Sequence, residues 1–340
     1  MIRYVLRRLV ISVVTIFGLA LVVFFVSHVL PGDPAAARLG PEATPADVAA
    51  LRAEFGLDDP LIVQLWHYVV GLFQGNLGMS ISTGRPVTGE LLARLPATLE
   101  LAFAGLIVAL LIGFPLGMLA AAKRGKVPDV FARIFAILGS SMASFWLGLL
   151  LIFGLFSVLH LFPGPTGRLP VGFPIPTHVT GMYLFDSLVT GNLDAAWQSL
   201  RYIALPALTL GIGASAAIIK MVRSAMIETS SSGFVRTARA YGVPGSTVLW
   251  VDQLRNAMLQ VLTAIGLVFG FLLGGNVIVE QLFSWPGLGR LAYDAMRSND
   301  LEMLQADVIM IGILYIALNF AVDLVYGVID PRIRLGGKAP

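Results

Sequence analysis

The polar stretch FVRTARAYGVPGSTVLWVDQLRNAM, from Phe234 to Met258, concentrates charged side chains that could recognise a partner. Arg236, Arg239 and Arg255 supply guanidinium groups, and Asp252 supplies a carboxylate. Only 13% of the chain is charged, so a polar segment of this length between two apolar runs suggests a specific contact. Two interpretations are open: an amphipathic loop lying on lipid headgroups, or a docking surface for a cytoplasmic partner.

Side chains that catalyse covalent chemistry or bind metals show no such concentration. The chain has no cysteine, and no two of its four histidines have the spacing of paired metal ligands: His28, His67, His160 and His178. Neither a catalytic residue nor a metal site is therefore predicted. No GxxxxGK[ST] phosphate-binding loop is present, since Gly336-Gly337-Lys338 is followed by Ala339. Any ATP chemistry must belong to another chain.

Two acidic residues are candidates for lining a polar pathway. Asp307 interrupts an apolar segment and Glu280 follows another. An ionisable group inside a membrane is unfavourable enough to suggest a function. Glu280, Asp323 and Glu100 lie at segment ends, where we expect interfacial water to solvate them. Asp307 is therefore the stronger candidate for the pathway.

The elements that position these residues are apolar helices. The 340 residues are 57% hydrophobic, and six apolar segments approach the length needed to cross a hydrocarbon core of about 30 Å. Because lipid offers no partner for an open backbone, each segment is predicted to be a helix of an all-α integral membrane protein. The first is longer than the apolar region of a signal peptide and is predicted to remain as an anchor. The segments are Leu9–Leu30, Leu101–Ala122, Ile134–His160, Tyr202–Ile219, Ala257–Val279 and Leu304–Val328.

Basic residues divide unevenly between the two sides of these helices. Fifteen of the 23 Lys and Arg residues fall in the two terminal tails and in the second and fourth connections. This asymmetry predicts that both termini and the polar stretch face the cytoplasm. The other side carries a small extracytoplasmic segment, residues 31–95, and a Pro- and Gly-rich connection, residues 162–201. A short helix is predicted in the first of these, with Thr44 as its N-cap and Gly56 as its stop.

Two short helices separated by a tight turn are predicted within the polar stretch. Ser231 or Ser232 can cap the first helix, and Ser246 can cap the second. The GVPG sequence between them ends the first helix. Gly242 permits a left-handed backbone, and Pro244 blocks continuation.

Gly266, Gly270 and Gly274 recur every fourth residue on the fifth apolar segment. Small residues at this spacing let helices approach closely. The opposing surface is either another helix of the same chain or a second membrane subunit. We favour the second subunit, because a six-helix chain needs a neighbour to enclose a pathway.

Motifs along almost the whole chain resemble one family. FVRTARAYG followed by LRNAM resembles the cytoplasmic coupling loop of ABC-importer permeases, and the full set is similar to the first permease subunit of bacterial dipeptide and oligopeptide importers. The other motifs, in family order, are MIRYVLRRL, LPGDP, FGLDDP, GNLGMS, RLPATLELA, LPALTLG, FSWPGLGRL and DPRIR.

The resemblance implies a type I ABC importer permease fold in the bacterial inner membrane. The N-terminal tail and first helix would occupy residues 1–30, and the extracytoplasmic segment residues 31–95. The permease domain would occupy residues 96–329, with the coupling loop at 223–256, and residues 330–340 would form a cytoplasmic tail.

The resemblance also implies a mechanical role for the coupling loop. Its short helix would sit in a groove of an ATP-binding subunit, and nucleotide-driven closure of those subunits would tilt the membrane helices. The implied partners are a second homologous permease, two subunits that hold ATP and Mg²⁺, and an extracytoplasmic solute-binding protein. This chain would itself carry no cofactor and act as no enzyme. The implied coupling residues are Arg236, Thr237, Ala238, Arg239, Ala240 and Gly242.

The solute implied by the resemblance is a di- or oligopeptide. Permeases with the same motifs also import nickel chelates, glutathione or other small peptide-like solutes, which remain alternatives. A secondary transporter working alone usually has an internal two-fold repeat, and no repeat is evident here. A membrane enzyme would need converging nucleophile, base or metal groups, and the sequence offers none.

Overall fold

The computed structural model describes residues 2–29, 35, 39, 43–54, 58–274 and 277–329. Within these ranges regular structure is helical, and the extended pairing is limited to a single bridge between Met79 and Pro86. The predicted stop at Gly56, the LPGDP motif and the predicted tail at 330–340 lie outside the described residues.

The described helices follow one another in this order: α1 (Ile2–Val29), α2 (Pro45–Glu54), α3 (Leu61–Phe73), α4 (Val87–Ala122), α5 (Val127–Ser141), α6 (Ser144–Leu151), α7 (Tyr183–Val189), α8 (Leu193–Ser230), α9 (Gly233–Ala240), α10 (Gly245–Thr247), α11 (Leu254–Leu273), α12 (Val277–Leu282), α13 (Leu288–Arg297) and α14 (Leu301–Ile329). Two π-helical stretches, Ile152–Val158 and Val248–Gln253, continue α6 and lead into α11.

The six predicted apolar segments correspond to these helices. The helices α1, α4, α8 and α14 are each long and apolar enough to span a membrane, and the number of spans rises to six if each of two bent pairs counts as one. The first pair, α5 and α6, meets at 106° because Met142 and Ala143 are both extended. The second runs from α10 to α11 and bends by 56°. The sequence predicted neither break.

Helices α4 and α8 pack along most of their length and form the centre of the fold. Gly113 and Gly117 of α4 face Ile218 and Val222 of α8, and a Cβ at either glycine would lie 2.8 Å from the opposing side chain. This pair of glycines therefore permits the close approach of the two helices. Helix α4 begins at Val87, well before the predicted start of its apolar segment, and runs through the predicted domain boundary at residue 95.

Helix α1 lies at the periphery and packs along α14. Arg8 of α1 forms an ion pair with Asp323 of α14 across 2.8 Å. Asp323 was expected to be solvated near an interface, and it has a cationic partner there instead.

The short helix predicted between the first two spans is present as α2. The Thr44 hydroxyl accepts the Asp47 N–H at 3.3 Å, and the Asp47 carboxylate accepts the Thr44 N–H at 3.2 Å. This reciprocal pair caps the helix and confirms Thr44 as its start. The hydrogen bonds from Thr44 lower the pKa of Asp47 below its ordinary value.

Candidate functional site

The predicted coupling loop folds as α9, a left-handed turn and α10. Gly242 has a φ of +73°. Its N–H donates to the Arg239 carbonyl at 3.0 Å, and the Val243 N–H donates to the Ala238 carbonyl at 3.1 Å. These two bonds form a Schellman motif, in which a helix ends on a left-handed residue. The prediction of a left-handed backbone at Gly242 is therefore confirmed.

None of the three serines predicted as caps makes a capping hydrogen bond. Ser232 occupies the N-cap position of α9, but its hydroxyl donates to the Thr229 carbonyl at 2.6 Å. Ser231 likewise donates its hydroxyl to a carbonyl of the same helix end. Pro244, not Ser246, precedes α10. Both hydroxyls bond carbonyl groups in the last turn of α8, a local bond that serine side chains often make instead of a cap.

Two buried valines hold the loop against the rest of the chain. Val235 of α9 is 0% exposed and Val248, after α10, is 1% exposed. Phe234 and Tyr241, by contrast, are 44% and 85% exposed. The face that carries these two aromatic rings therefore points away from the protein.

The predicted coupling residues lie on α9 and in the turn that follows it. Arg236 and Arg239 are exposed, and within the described part of the chain neither side chain has a hydrogen-bond or ion-pair partner. A Cβ added at Gly242 would meet no atom within 4 Å. Exposed aromatic and guanidinium groups in one short segment are typical of protein docking sites. The remaining predicted residues, Thr237, Ala238 and Ala240, lie on the same short helix.

A buried ion pair braces the stem of the loop. Arg223 of α8 donates to both carboxylate oxygens of Asp129 at the start of α5, at 2.6 and 3.0 Å. Asp129 is 1% exposed and also accepts the Gly125 N–H at 2.9 Å. Bidentate pairing fixes geometry as well as charge. This Arg223–Asp129 pair, called the brace below, therefore links α8, the helix that precedes α9, to α5 of the third span.

The glycine face of α11 packs within this chain. A Cβ at Gly266 would lie 3.0 Å from Val322, and one at Gly270 would lie 2.5 Å from Tyr315, both on α14. Gly274 has only the backbone of its own helix nearby. The intrachain alternative therefore accounts for the spacing of the first two glycines.

Glu280 is buried, contrary to the prediction that interfacial water solvates it. It is 1% exposed, and its carboxylate accepts the Arg290 N–H at 2.8 Å and the Thr98 hydroxyl at 3.3 Å. These bonds place the carboxylate at the N-terminal end of α13, where a negative charge is favourable. Burial raises the pKa of Glu280 to about 7, although the hydrogen bonds oppose this shift.

The motif FSWPGLGRL surrounds the Glu280 carboxylate, and two of its residues form hydrogen bonds with α4. The Trp285 indole N–H donates to the Ala97 carbonyl at 2.8 Å, and the Leu288 N–H donates to the Thr98 hydroxyl at 2.7 Å. A side chain at Gly287 would overlap the Glu280 carboxylate. The motif was visible in the sequence, but the group that it encloses was not.

Asp307 has the least compensated environment of the acids. Its side chain is 0% exposed, and neither carboxylate oxygen has a hydrogen-bond partner in the described part of the chain. The preceding Ala306 belongs to an apolar cluster with Leu291 and Met303. Buried carboxylates are normally bonded, so this exception needs a reason.

Glu100 is also buried, contrary to the sequence prediction. It is 7% exposed and forms an ion pair with Arg168, whose Nε donates to Glu100 at 3.1 Å. The Arg168 guanidinium also donates to the Gly181 carbonyl at 2.8 Å and lies 3.5 Å from the centre of the Tyr183 ring. This arginine therefore ties the connection between the third and fourth spans to α4.

The same connection is closed by Asp186. Its carboxylate accepts the backbone N–H groups of Val179, Thr180 and Gly181 at 3.1, 2.9 and 2.8 Å. Burial raises the pKa of Asp186, but these bonds and the Thr180 hydroxyl together hold it below its ordinary value. The connection between the third and fourth spans is therefore an ordered loop. No three histidine, aspartate or glutamate side chains of the described ranges cluster as metal ligands.

The sequence matches two protein families over most of its length. Residues 113–335 match the binding-protein-dependent transport system inner membrane component. Residues 1–102 match the N-terminal part of a binding-protein-dependent transport system membrane component.

Curated relatives align with almost the whole chain. The probable D,D-dipeptide transport system permease protein DdpB of Escherichia coli (strain K12) is 43% identical over 96% of this chain and 95% of its own length. The dipeptide transport system permease protein DppB of the same strain is 40% identical over 98% and 99%. The glutathione transport system permease protein GsiC of Salmonella typhimurium (strain LT2) is 39% identical over 98% and 99%.

A solved structure has a similar fold. A chain from the MetNI methionine ABC transporter, in an inward-facing conformation, superposes with a TM-score of 0.51 at 17% sequence identity. The superposition covers 71% of this chain and 96% of that one. The predicted type I importer permease fold is therefore confirmed.

Proposed function

The chain belongs to the family of binding-protein-dependent transport system inner membrane components, in which it is a permease of an ABC importer, and from this premise we propose that it imports di- and oligopeptides. In this proposal it forms half of the pathway. The relatives named for dipeptide transport support this solute class. The chain moves a solute and carries out no covalent chemistry, since separate subunits hydrolyse ATP in this family.

The proposed partners complete the importer. They are a second homologous permease, two ATP-binding subunits that hold ATP and Mg²⁺, and an extracytoplasmic binding protein that delivers the solute. The family's dependence on a binding protein supports the last of these.

The outward face of α9 is the observation that carries the mechanical part of the proposal. The chain pairs Arg168 and Arg223 internally, whereas Arg236 and Arg239 are exposed on α9, the helix that ends at the exposed Tyr241. An acidic or carbonyl-lined groove on an ATP-binding subunit is the partner that suits this surface. Gly242 leaves the surface open to close approach.

Movement of α9 then reaches the membrane through α8. This helix is continuous from Leu193 to Ser230, so a push on its end is transmitted along its length. The Arg223–Asp129 brace couples the same helix to the third span. We assign the brace a role in passing the motion of the ATP-binding subunits to the pathway.

Asp307 is our proposed pathway residue. In this conformation it is buried without a partner, and a rearrangement of α14 would give it water or a polar solute group. Glu280 was the second candidate. Its hydrogen bonds to Thr98 and to the N-terminus of α13 favour a structural role instead.

Of the three glycines predicted to pack against a second permease, only Gly274 remains in the proposed interface. Gly266 and Gly270 already face α14. Leu267 and Phe271 of α11 are 58% and 67% exposed and offer apolar area beside Gly274 for a neighbouring subunit.

The proposed orientation puts both termini and the coupling loop in the cytoplasm. The chain has no cysteine, so single cysteines report their own positions. Cysteines at Ala50 and Thr177 should react with an impermeant thiol reagent added to intact spheroplasts, and one at Ser246 should react only after lysis. Labelling of Ser246→Cys from outside would overturn the orientation.

The solute proposal is tested by competition in a reconstituted importer. Uptake of a labelled dipeptide should be suppressed by excess unlabelled di- and tripeptides and much less by glutathione. Glutathione is the second candidate, because a glutathione permease is 39% identical to this chain. Uptake of glutathione but not of dipeptides would replace the peptide proposal with that one.

A further inference from the structure

Helix α3, Leu61–Phe73, has an unusual composition for a segment between membrane spans. Its sequence LIVQLWHYVVGLF contains no charged residue, and none of its side chains is buried. It is too short to cross a bilayer, since 13 residues of helix extend about 20 Å. An apolar helix that the rest of the chain covers only in part needs another apolar environment for its exposed side.

The three most exposed large apolar side chains of α3 lie in one stripe. Ile62, Trp66 and Phe73 are 73%, 66% and 82% exposed. Together with Val69 they follow a spacing of four, three and four residues, which places them on one face of a helix. On the other side of the helix, Tyr68 packs against Phe24 of α1 with ring centres 5.4 Å apart. The stripe therefore points away from the chain.

Two contacts hold α3 at the level of the membrane boundary. Phe24 lies close to the end of the apolar span Val5–Val26 of α1. At its other end, α3 leads through a tight turn into a loop whose Ser80 hydroxyl donates to Asp300 at 2.6 Å, next to the start of α14. Both anchors thus lie near the ends of membrane spans, at the opposite end of α14 from the Arg8–Asp323 pair.

We propose that α3 lies in the lipid leaflet at that boundary, with the stripe of Ile62, Trp66, Val69 and Phe73 in contact with acyl chains. The stripe continues the lipid-facing surface of α1, on which Val22, Phe25 and Val26 are 60%, 51% and 53% exposed. Tryptophan is enriched where headgroups meet acyl chains, which suits the position of Trp66. The inference rests on membrane insertion and is independent of the solute.

Photocross-linking in the assembled importer tests this placement. Benzoylphenylalanine is introduced singly at Trp66, at Phe73 and at His67, an exposed residue of the same helix outside the stripe. Each variant is purified with its partner subunits, and only assembled complexes are placed in nanodiscs of phosphatidylethanolamine and phosphatidylglycerol with tritiated acyl chains. After irradiation, we expect the permease band of the Trp66 and Phe73 variants to carry several-fold more tritium than that of the His67 variant.

Two results would overturn the proposal. A cross-link from Trp66 or Phe73 to another subunit, seen as a shifted band, would make the stripe a protein interface. Tritium no higher than in the His67 variant, without a shifted band, would put the stripe in water.

Discussion

Arg168 and Arg239 carry the same guanidinium group at opposite ends of the helix bundle. Arg168 is 8% exposed, forms an ion pair with Glu100 and donates to a backbone carbonyl. Arg239 is exposed on α9, and no partner for its side chain occurs in the described ranges. Glu280 extends the contrast, because it is buried and bonded at the same end as Arg168.

The difference separates two uses of charge in a chain that has few charges. Burying an ion is unfavourable unless its hydrogen bonds are satisfied, so Arg168 and Glu280 are surrounded by partners from other helices. Arg239 stays in water, which solvates its unpaired guanidinium, so the lack of a partner does not destabilise the fold. Changes at the first end should therefore alter stability, and changes at the second should alter assembly and transport.

The largest effect on transport is expected at Gly242, in the turn that follows α9. Gly242→Asp should abolish solute uptake while the protein still inserts. A side chain at φ of +73° is unfavourable by about 1–2 kcal/mol. The added charge at a docking surface would contribute several kcal/mol more. The measurements are uptake and retention of the ATP-binding subunits on the purified permease.

Gly245→Asp is the matched control for this change. It adds the same charge three residues later, at a glycine of α10 where a Cβ also meets no atom within 4 Å and φ is not positive. We expect it to retain most of its uptake. Normal uptake and subunit retention in Gly242→Asp would contradict the docking role of this turn.

The next effect concerns the brace behind the loop. Arg223→Gln removes the bidentate pair with Asp129 and should reduce uptake about tenfold, within the usual range of coupling energies of 1–3 kcal/mol. The ATP-binding subunits should remain bound, because α9 is untouched. The ratio of solute transported to ATP hydrolysed is the decisive measurement. It should fall in this variant.

Lys220→Gln, one turn earlier on α8, serves as the comparison. Among the described residues, Lys220 has a single polar side-chain contact, the exposed one with Ser140 at 3.3 Å. Equal transport ratios in the two variants would show that the brace only supports the fold.

At the opposite end, Glu280→Ala should lower stability and leave docking intact. The substitution removes the acceptor of the Arg290 N–H and the Thr98 hydroxyl. A buried group without a hydrogen-bond partner is unfavourable by about 1–3 kcal/mol. Thermal unfolding of the purified complex measures this loss. Glu280→Gln keeps an acceptor of similar size and should lose less. If Glu280→Ala lost the ATP-binding subunits without losing stability, the end of the bundle that holds Glu280 would serve assembly and not stability.

The smallest effect on stability is expected at Asp307. Asp307→Asn removes a buried carboxylate that has no partner to lose, so unfolding should shift by no more than about 1 kcal/mol. Uptake should nevertheless fall, because the amide cannot provide a charge to the pathway. Unchanged uptake and stability would remove Asp307 from the pathway.

The sequence alone determined the membrane class, the six apolar segments and the left-handed turn at Gly242. Each is decided by residues close together in the chain. Apolar runs must form helices in lipid because no solvent satisfies their backbone, and glycine between two short helices permits a positive φ. The family motifs are also short local sequences, and the resemblance that they carry is the basis for proposing the coupling loop.

Which acidic and basic side chains are buried, and what the glycines contact, depends on the packing of distant helices. Glu100 and Arg168 are 68 residues apart, and Thr98 and Glu280 are 182 apart, so no local pattern pairs them. The same holds for Gly270, whose neighbour Tyr315 lies on a different helix. The sequence placed Glu100 and Glu280 in water because they stand at the ends of apolar runs. Packing of distant helices supplies their partners, and only those partners make burial of the charges tolerable.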